Sequence, residues 1–199
     1  MEADEAVEMM ETEPEKDRFK QHCAIVISVF AMLLAVTGLG GQNATKEALN
    51  SAIQASNFYS FYQAKNLRQS GLVIAADGLE LTAQTDPTMA QAGRDALRDK
   101  AAQYRRTIAR YESEPDTQEG KKELLARAKV EEEKRDLALR KDPYFDFAET
   151  FLQIAIVLIS VALLSGQIWL VYGGGVLGAL GALLMFNGYL LLVTIPFLE

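Results

Sequence analysis

F-L-Q-I-A-I-V-L-I-S-V-A-L-L-S-G-Q-I-W-L-V, Phe151 to Val171, followed almost at once by an apolar run from Gly174 to Phe197, decides the fold. Neither run holds a charged residue, and each reaches the length of about 20 residues that a helix needs to cross a hydrocarbon core. Only a few residues around Tyr172–Gly175 join them, which forces an antiparallel pair. An earlier run, C-A-I-V-I-S-V-F-A-M-L-L-A-V-T-G-L from Cys23 to Leu39, gives roughly 26 Å of helix, enough to cross with help from its flanks. The fold class that follows is all-α and integral to a membrane. It has three transmembrane helices, with a long extramembrane, coiled-coil-like helical hairpin between spans one and two.

The charges divide the chain further. Lys46–Asp142 alternates 17 Lys/Arg with 16 Asp/Glu, so the net charge of −7 comes largely from the first 20 residues, which hold eight acids and three bases. Such a tail cannot bury enough apolar surface to order itself. The expected organisation is therefore a disordered acidic tail (1–20), a first span (21–41), the helical hairpin (42–142) and a membrane hairpin (143–199) with spans near 151–171 and 174–197. No block has the basic excess of a nucleic-acid binder. The one cysteine, Cys23, excludes an intrachain disulfide and reads as a small apolar residue at the start of a span. An acidic start and a long apolar run also argue against a cleaved signal peptide.

The extramembrane segment reads as helix nearly throughout. Gly38, Gly40 and Gly41 are expected to loosen the first helix, with Asn43 or Thr45 capping a new one. Ala48, Ala52, Ala55, Tyr59, Tyr62, Asn66, Gln69, Val73 and Ala76 then alternate four and three apart, the step of a coiled-coil seam. A second face carries Leu49, Ile53, Leu67 and Ile74, and Gly71 and Gly78 weaken the distal part. The cluster N-F-Y-S-F-Y, with Phe58, Tyr59, Phe61 and Tyr62, surrounds most of the helix with rings. One hairpin partner covers one side only, so the cluster predicts burial on more than one face. Asp86-Pro87 reads as N-cap and first residue of a returning helix whose seam is Leu97, Ala101, Tyr104, Ile108 and Tyr111. Ser113-Glu114-Pro115-Asp116 resembles a capped restart. The last helix has Leu124, Leu125, Ala128 and Leu139 as its apolar positions, and Asp142-Pro143 marks the approach to span two. The return arm must kink near Pro115, fold over or overhang.

Within the membrane, Gly174, Gly178 and Ala182 lie four apart, a small-residue face that lets helices approach closely. Asn187 is the strongly polar side chain deep in span three and reads as an interhelical hydrogen-bonding group. Tyr144, Phe145 and Phe147 read as an interfacial aromatic belt. No ionisable group lies near the middle of a span, which argues against a proton- or ion-coupled transporter. Lys16, Arg18 and Lys20 before span one place the N-terminus in the cytoplasm and the hairpin in the periplasm, although Lys134, Arg135, Arg140 and Lys141 pull the other way.

No catalytic, cofactor-binding or metal-binding residues are expected. His22 is the one histidine, and no Cys/His cluster exists. Gly173–Gly175 lacks the Lys-Ser/Thr of a phosphate loop, and Asn43-Ala44-Thr45 is a sequon pressed against the membrane. N-A-T-K-E-A-L-N-S-A-I-Q-A-S-N-F-Y-S-F-Y-Q-A-K-N-L-R (Asn43–Arg68), Y-E-S-E-P (Tyr111–Pro115), E-G-K-K-E-L-L-A-R-A-K (Glu119–Lys129) and L-Q-I-A-I-V-L (Leu152–Leu158) together resemble a family of small bacterial membrane proteins of unknown function, frequent in alphaproteobacteria. The resemblance implies a bacterial source and the three-span layout, and carries no activity. The functional expectation is a non-enzymatic structural or interaction protein of a bacterial inner membrane. Its partners are the lipid bilayer and further copies of itself, meeting through the helical seam and the glycine-bearing span. The alternatives are an accessory subunit of a larger membrane complex and, less favoured, a channel or small-molecule carrier.

Overall fold

A computed structural model of the chain describes residues 17–196 in full, with the backbone helix continuing N-terminally to Glu2. The acidic tail expected to lack order falls almost wholly outside the fully described residues, and the last helix ends at Leu190, short of the span end expected near 197. Four helices make up the fold: α1 (Glu2–Thr85), α2 (Gln91–Glu112), α3 (Lys121–Ser165) and α4 (Ile168–Leu190). Among the described residues there is no strand. α1, α3 and α4 each contain a stretch long and apolar enough to cross a membrane. The chain divides into two compact units, one of Met1–Ala48 with Asp136–Glu199 and one of Leu49–Arg135.

The first unit is built on small residues. On α3, Ala148, Leu152, Ala155, Ile159 and Ala162 recur four and three apart and are fully buried. α4 faces them with Gly174, Gly178, Gly181, Met185 and Gly188 at the same step, all buried. A Cβ on Gly174 would stand 3.0 Å from the Ala155 carbonyl oxygen, and one on Gly181 3.0 Å from that of Ala148. Backbone thus meets backbone, the contact by which helices gain dispersion energy in lipid. At Gly178 the missing side chain is replaced by the Phe30 ring of α1. Ala182 is only half-buried, because the buried row turns to Gly181 and Met185 instead.

Several local expectations are corrected in this unit. The turn between the last two spans comes at Gly166–Gln167, before the expected Tyr172–Gly175, and Gly173–Gly175 is helical. Gly166 takes φ +72°, a left-handed conformation that ends a helix, and its N–H donates to the Ala162 oxygen at 2.8 Å. Asn187 does not bridge helices. Its amide accepts from the Val193 N–H (2.9 Å) and donates to the Val193 carbonyl (2.7 Å), fastening the segment that follows its own helix. Tyr144 and Phe145 are buried inside the unit, whereas Phe147 is exposed. The Tyr144 hydroxyl accepts from the Ile195 N–H (2.9 Å), and Phe145 packs edge-on to Tyr189 (4.9 Å, 75°). Pro143 lies within α3, which continues through it. An interior proline removes a ladder hydrogen bond at about 3 kcal/mol, and burial of the two rings that follow it offsets that cost. α1 likewise continues through Gly38–Gly41 without a new cap. Gly40 lies against Phe145 and Tyr189, and the Thr45 hydroxyl bonds back to the Gly41 oxygen at 3.0 Å.

The second unit is a hairpin with a broken return arm. Contacts from α1 run antiparallel to the rest: Asp77 meets Arg105, Gln69 meets Ile108, Tyr62 meets Lys121, and Phe58 meets Arg127. α2 therefore covers the distal part of α1, and α3 covers the part nearer Leu49. The joint is the non-helical stretch 113–120, so the return arm breaks around Pro115 and neither doubles over nor overhangs. The hairpin tip also differs from expectation. α2 begins at Gln91 with Ala90 at its N-cap, and Asp86 accepts from the N–H (2.8 Å) and hydroxyl (2.6 Å) of Thr88, forming a turn ahead of the helix.

Candidate functional site

The second unit brings several polar side chains together at the joint of the return arm. The buried face of α1 here is Ser51, Ala55, Phe58, Tyr62, Lys65, Gln69, Leu72, Ala76, Leu79 and Ala83, again four and three apart, with Phe58, Tyr62, Gln69, Leu72 and Leu79 half-buried. It shares Ala55, Tyr62, Gln69 and Ala76 with the seam read from the sequence and replaces the positions between them. Ala52, Tyr59 and Val73 are half-buried on its shoulder, and Asn66 is exposed. Ala48, the first residue of that seam, is buried in the other unit. On the return arm Ala101 is buried, while Leu97, Tyr104, Ile108 and Tyr111 are half-buried.

Lys65 is the residue that the sequence reading missed. It is 5% exposed, and a buried ammonium persists only when paired and hydrogen-bonded. Its Nζ donates to the Glu119 carbonyl oxygen. It also lies 3.8 Å from carboxylate oxygens of both Glu114 and Glu119, with the Phe61 and Tyr111 rings at 5.2 and 5.5 Å. All but one of these partners come from the joint or the helix end before it, so one side chain of α1 holds the break closed. One turn away, Gln69 donates to the Ile108 carbonyl (3.1 Å) and Glu112 carboxylate (3.2 Å) and accepts from Lys121 Nζ (2.7 Å). Lys121 also pairs with Glu112 at 3.2 Å. The hydrogen bond from Gln69, then that from Lys121, holds the Glu112 carboxyl below its ordinary range. Glu123 accepts from the Ser113 hydroxyl (2.6 Å) and Glu114 N–H (3.1 Å), and the Ser113 bond leads in lowering its carboxyl as well.

The aromatic cluster is used within the chain. Phe58 lies under the Arg127 guanidinium at 4.3 Å, Tyr62 under Lys121 at 5.6 Å, and Tyr59 donates to Glu132 at 3.1 Å. That last bond raises the Tyr59 phenol above its ordinary value. Phe61 is the most exposed of the four rings and flanks Lys65. Arg105 is engaged by Asp77 and Glu80.

These groups neutralise one another, and the arrangement does structural work. Among the described residues no buried side-chain polar atom lacks a hydrogen-bond partner, and no group of His, Cys, Asp or Glu is arranged to hold a metal. An open groove of about 350 Å³ beside Leu183, Phe186, Leu192 and Val193 is lined by apolar residues and Asn187. A smaller cleft of about 230 Å³ lies along Phe58, Gln118 and Arg127. Five large aliphatic side chains of α1 in the second unit, Leu49, Ile53, Leu67, Ile74 and Leu81, are exposed.

The sequence profile of the family described as Domain of unknown function (DUF4337) matches residues 19–191. No curated protein and no solved structure matches the chain.

Proposed function

We propose that this chain, which belongs to the DUF4337 family, is a non-enzymatic structural protein of a bacterial inner membrane that works as a homo-oligomer. Its N-terminus is cytoplasmic and its helical hairpin periplasmic. One observation carries the reading: an extramembrane helical unit whose interior is complete still presents five large aliphatic side chains of α1 to solvent. Exposed apolar surface of that kind, on a unit otherwise dense in charge, marks a protein contact. The small-residue face of α4, expected to join copies, is used within the chain instead. Gly174, Gly178, Gly181 and Gly188 are filled by Ile159, Phe30, Leu152 and Phe145 of the same chain, which leaves the extramembrane face to meet other copies.

The deciding measurement is the mass of the full chain in detergent and in lipid nanodiscs at physiological concentration. A multiple of the 21.9 kDa chain is expected, and a monomer overturns the proposal. Gentle affinity purification from native membranes gives the second arm. A stoichiometric foreign protein in place of further copies would make the chain an accessory subunit.

A further inference from the structure

In the extramembrane unit α1 presents two seams on opposite sides. The inner one, centred on Lys65, meets the return arm. The outer one is Ile53, Asn57, Ser60, Ala64, Leu67, Gly71, Ile74, Gly78 and Leu81, alternating four and three apart, and every one of these positions is exposed. Leu67, Ile74 and Leu81 are 77%, 73% and 60% exposed. None of the nine is charged, although α2 and α3 of the same unit carry charges on most of their outward positions. Gly71 and Gly78 add an independent sign. A glycine inside a helix costs about 1 kcal/mol relative to alanine, yet no atom of this chain lies within 4 Å of where a Cβ would stand on either. Nothing in the chain itself uses the space these glycines leave.

Resting on the reading of the protein as self-assembling, we infer that this outer seam is the contact between copies, α1 against α1, parallel and in register. Copies threaded through one bilayer by the same spans share one orientation, so their first helices meet running the same way. In-register parallel pairing brings each residue to its own counterpart. A charged seam position would then face a like charge, and an uncharged seam is what this geometry requires. Residues 53–81 span four heptads, about 42 Å of helix, a repeat long enough to sustain a coiled coil. In heptad terms Ile53, Ser60, Leu67, Ile74 and Leu81 occupy d. Asn57, Ala64, Gly71 and Gly78 occupy a, a small row that lets the backbones draw together. Asn57 meeting its own copy fixes register, the recognised use of a lone polar a position.

The test uses the full chain in nanodiscs on a Cys23→Ser background, with single cysteines introduced as Leu67→Cys, Ile74→Cys or Leu81→Cys. Mild oxidation is expected to yield a disulfide-linked dimer at each of the three, and none at Asp99→Cys on the outward face of α2. Antiparallel pairing would link at most one of the three and a foreign occupant none, and either result overturns the inference. The double variant Leu67→Glu/Ile74→Glu is expected to weaken assembly at least tenfold with helicity unchanged, since both side chains are exposed. An assembled wild type that shows no cross-links and ignores the double variant refutes the seam while sparing self-assembly. A monomeric wild type refutes both.

Discussion

Replacing Lys65 tests whether the joint of the return arm is held by a charge or by the stem that carries it. In Lys65→Ala, three buried methylenes beyond Cβ are lost, at about 0.8 kcal/mol each, or about 2 kcal/mol. The hydrogen bond to the Glu119 carbonyl adds about 1.5–3 kcal/mol. Against this stands release from burying an ammonium, which costs several kcal/mol in a fully dry site. Glu114 and Glu119 keep 22% and 53% of their side chains exposed, so both carboxylates remain solvated when the lysine goes. The net loss for alanine is then about 3 kcal/mol. Lys65→Met keeps the stem and discards the charge, for a net loss of about 1 kcal/mol. Amide hydrogen exchange reads this locally, at the Gln118 N–H bonded to Glu114 (3.0 Å) and the Leu124 N–H bonded to Gly120 (2.9 Å). At about 1.4 kcal/mol per decade, exchange should accelerate roughly fivefold in the methionine variant and roughly a hundredfold in the alanine variant. Rates within twofold of wild type for Lys65→Ala would refute the reasoning. So would a methionine variant as damaged as alanine, which would put the stabilisation in the charge.

The joint should also respond to pH with a definite sign. Because the Glu112 and Glu123 carboxyls are held below their ordinary value, their contribution is complete above about pH 4.3, the unfolded glutamate value. It is lost as pH falls through the lower folded values, and protection of the Leu124 amide that already declines at pH 6 would contradict the assignment. Tyr59 has the opposite sense. Its raised phenol stabilises up to about pH 10, loses that contribution as pH rises through the folded value, and Tyr59→Phe should remove the alkaline step. In the first unit, Gly178→Ala places a methyl in the Phe30 ring and should cost about 1–3 kcal/mol, read by detergent denaturation. Gly173→Ala and Gly175→Ala meet nothing within 4 Å and should be tolerated. Phe30→Ala should recover part of the Gly178→Ala loss, and simple additivity of the two would refute the contact.

Hydropathy alone made legible the all-helical class and three stretches long and apolar enough to cross a membrane, because a helix satisfies its own backbone groups in apolar surroundings. Boundaries were less legible where two turn signals competed. Ser165-Gly166-Gln167 does interrupt the apolar run with a turn-forming Ser-Gly pair, but the glycine triplet Gly173–Gly175 competed with it and drew the boundary too late. The inner seam was displaced by one residue at alternate steps for a related reason. Choosing Ala52 and Asn66 over Ser51 and Lys65 follows apolar preference where it can. A buried lysine becomes reasonable only once Glu114, Glu119 and Tyr111 are seen around it, and these lie about fifty residues away in the chain. Asp86 misled in the same manner. The side chain that would cap a helix at Pro87 is used on Thr88, and the helix waits until Gln91.

The glycines of this chain carry the same physical meaning in two settings, and the difference between the settings is informative. In α4 the glycine row is filled by Ile159, Phe30, Leu152 and Phe145, so substitution there meets a wall. On the outer face of α1, Gly71 and Gly78 sit in a row of equal regularity with nothing opposite. Helix propensity opposes both rows by about 1 kcal/mol per residue, and a close neighbour is what repays glycine inside a helix. The α4 row has its neighbour within the chain. If the α1 row has one, it comes from outside, and Gly71→Ala with Gly78→Ala distinguishes the cases. The pair should raise the helicity of an isolated 49–85 peptide, yet weaken association of the full chain. Association that survives unchanged would mean that the two glycines are not at a close contact.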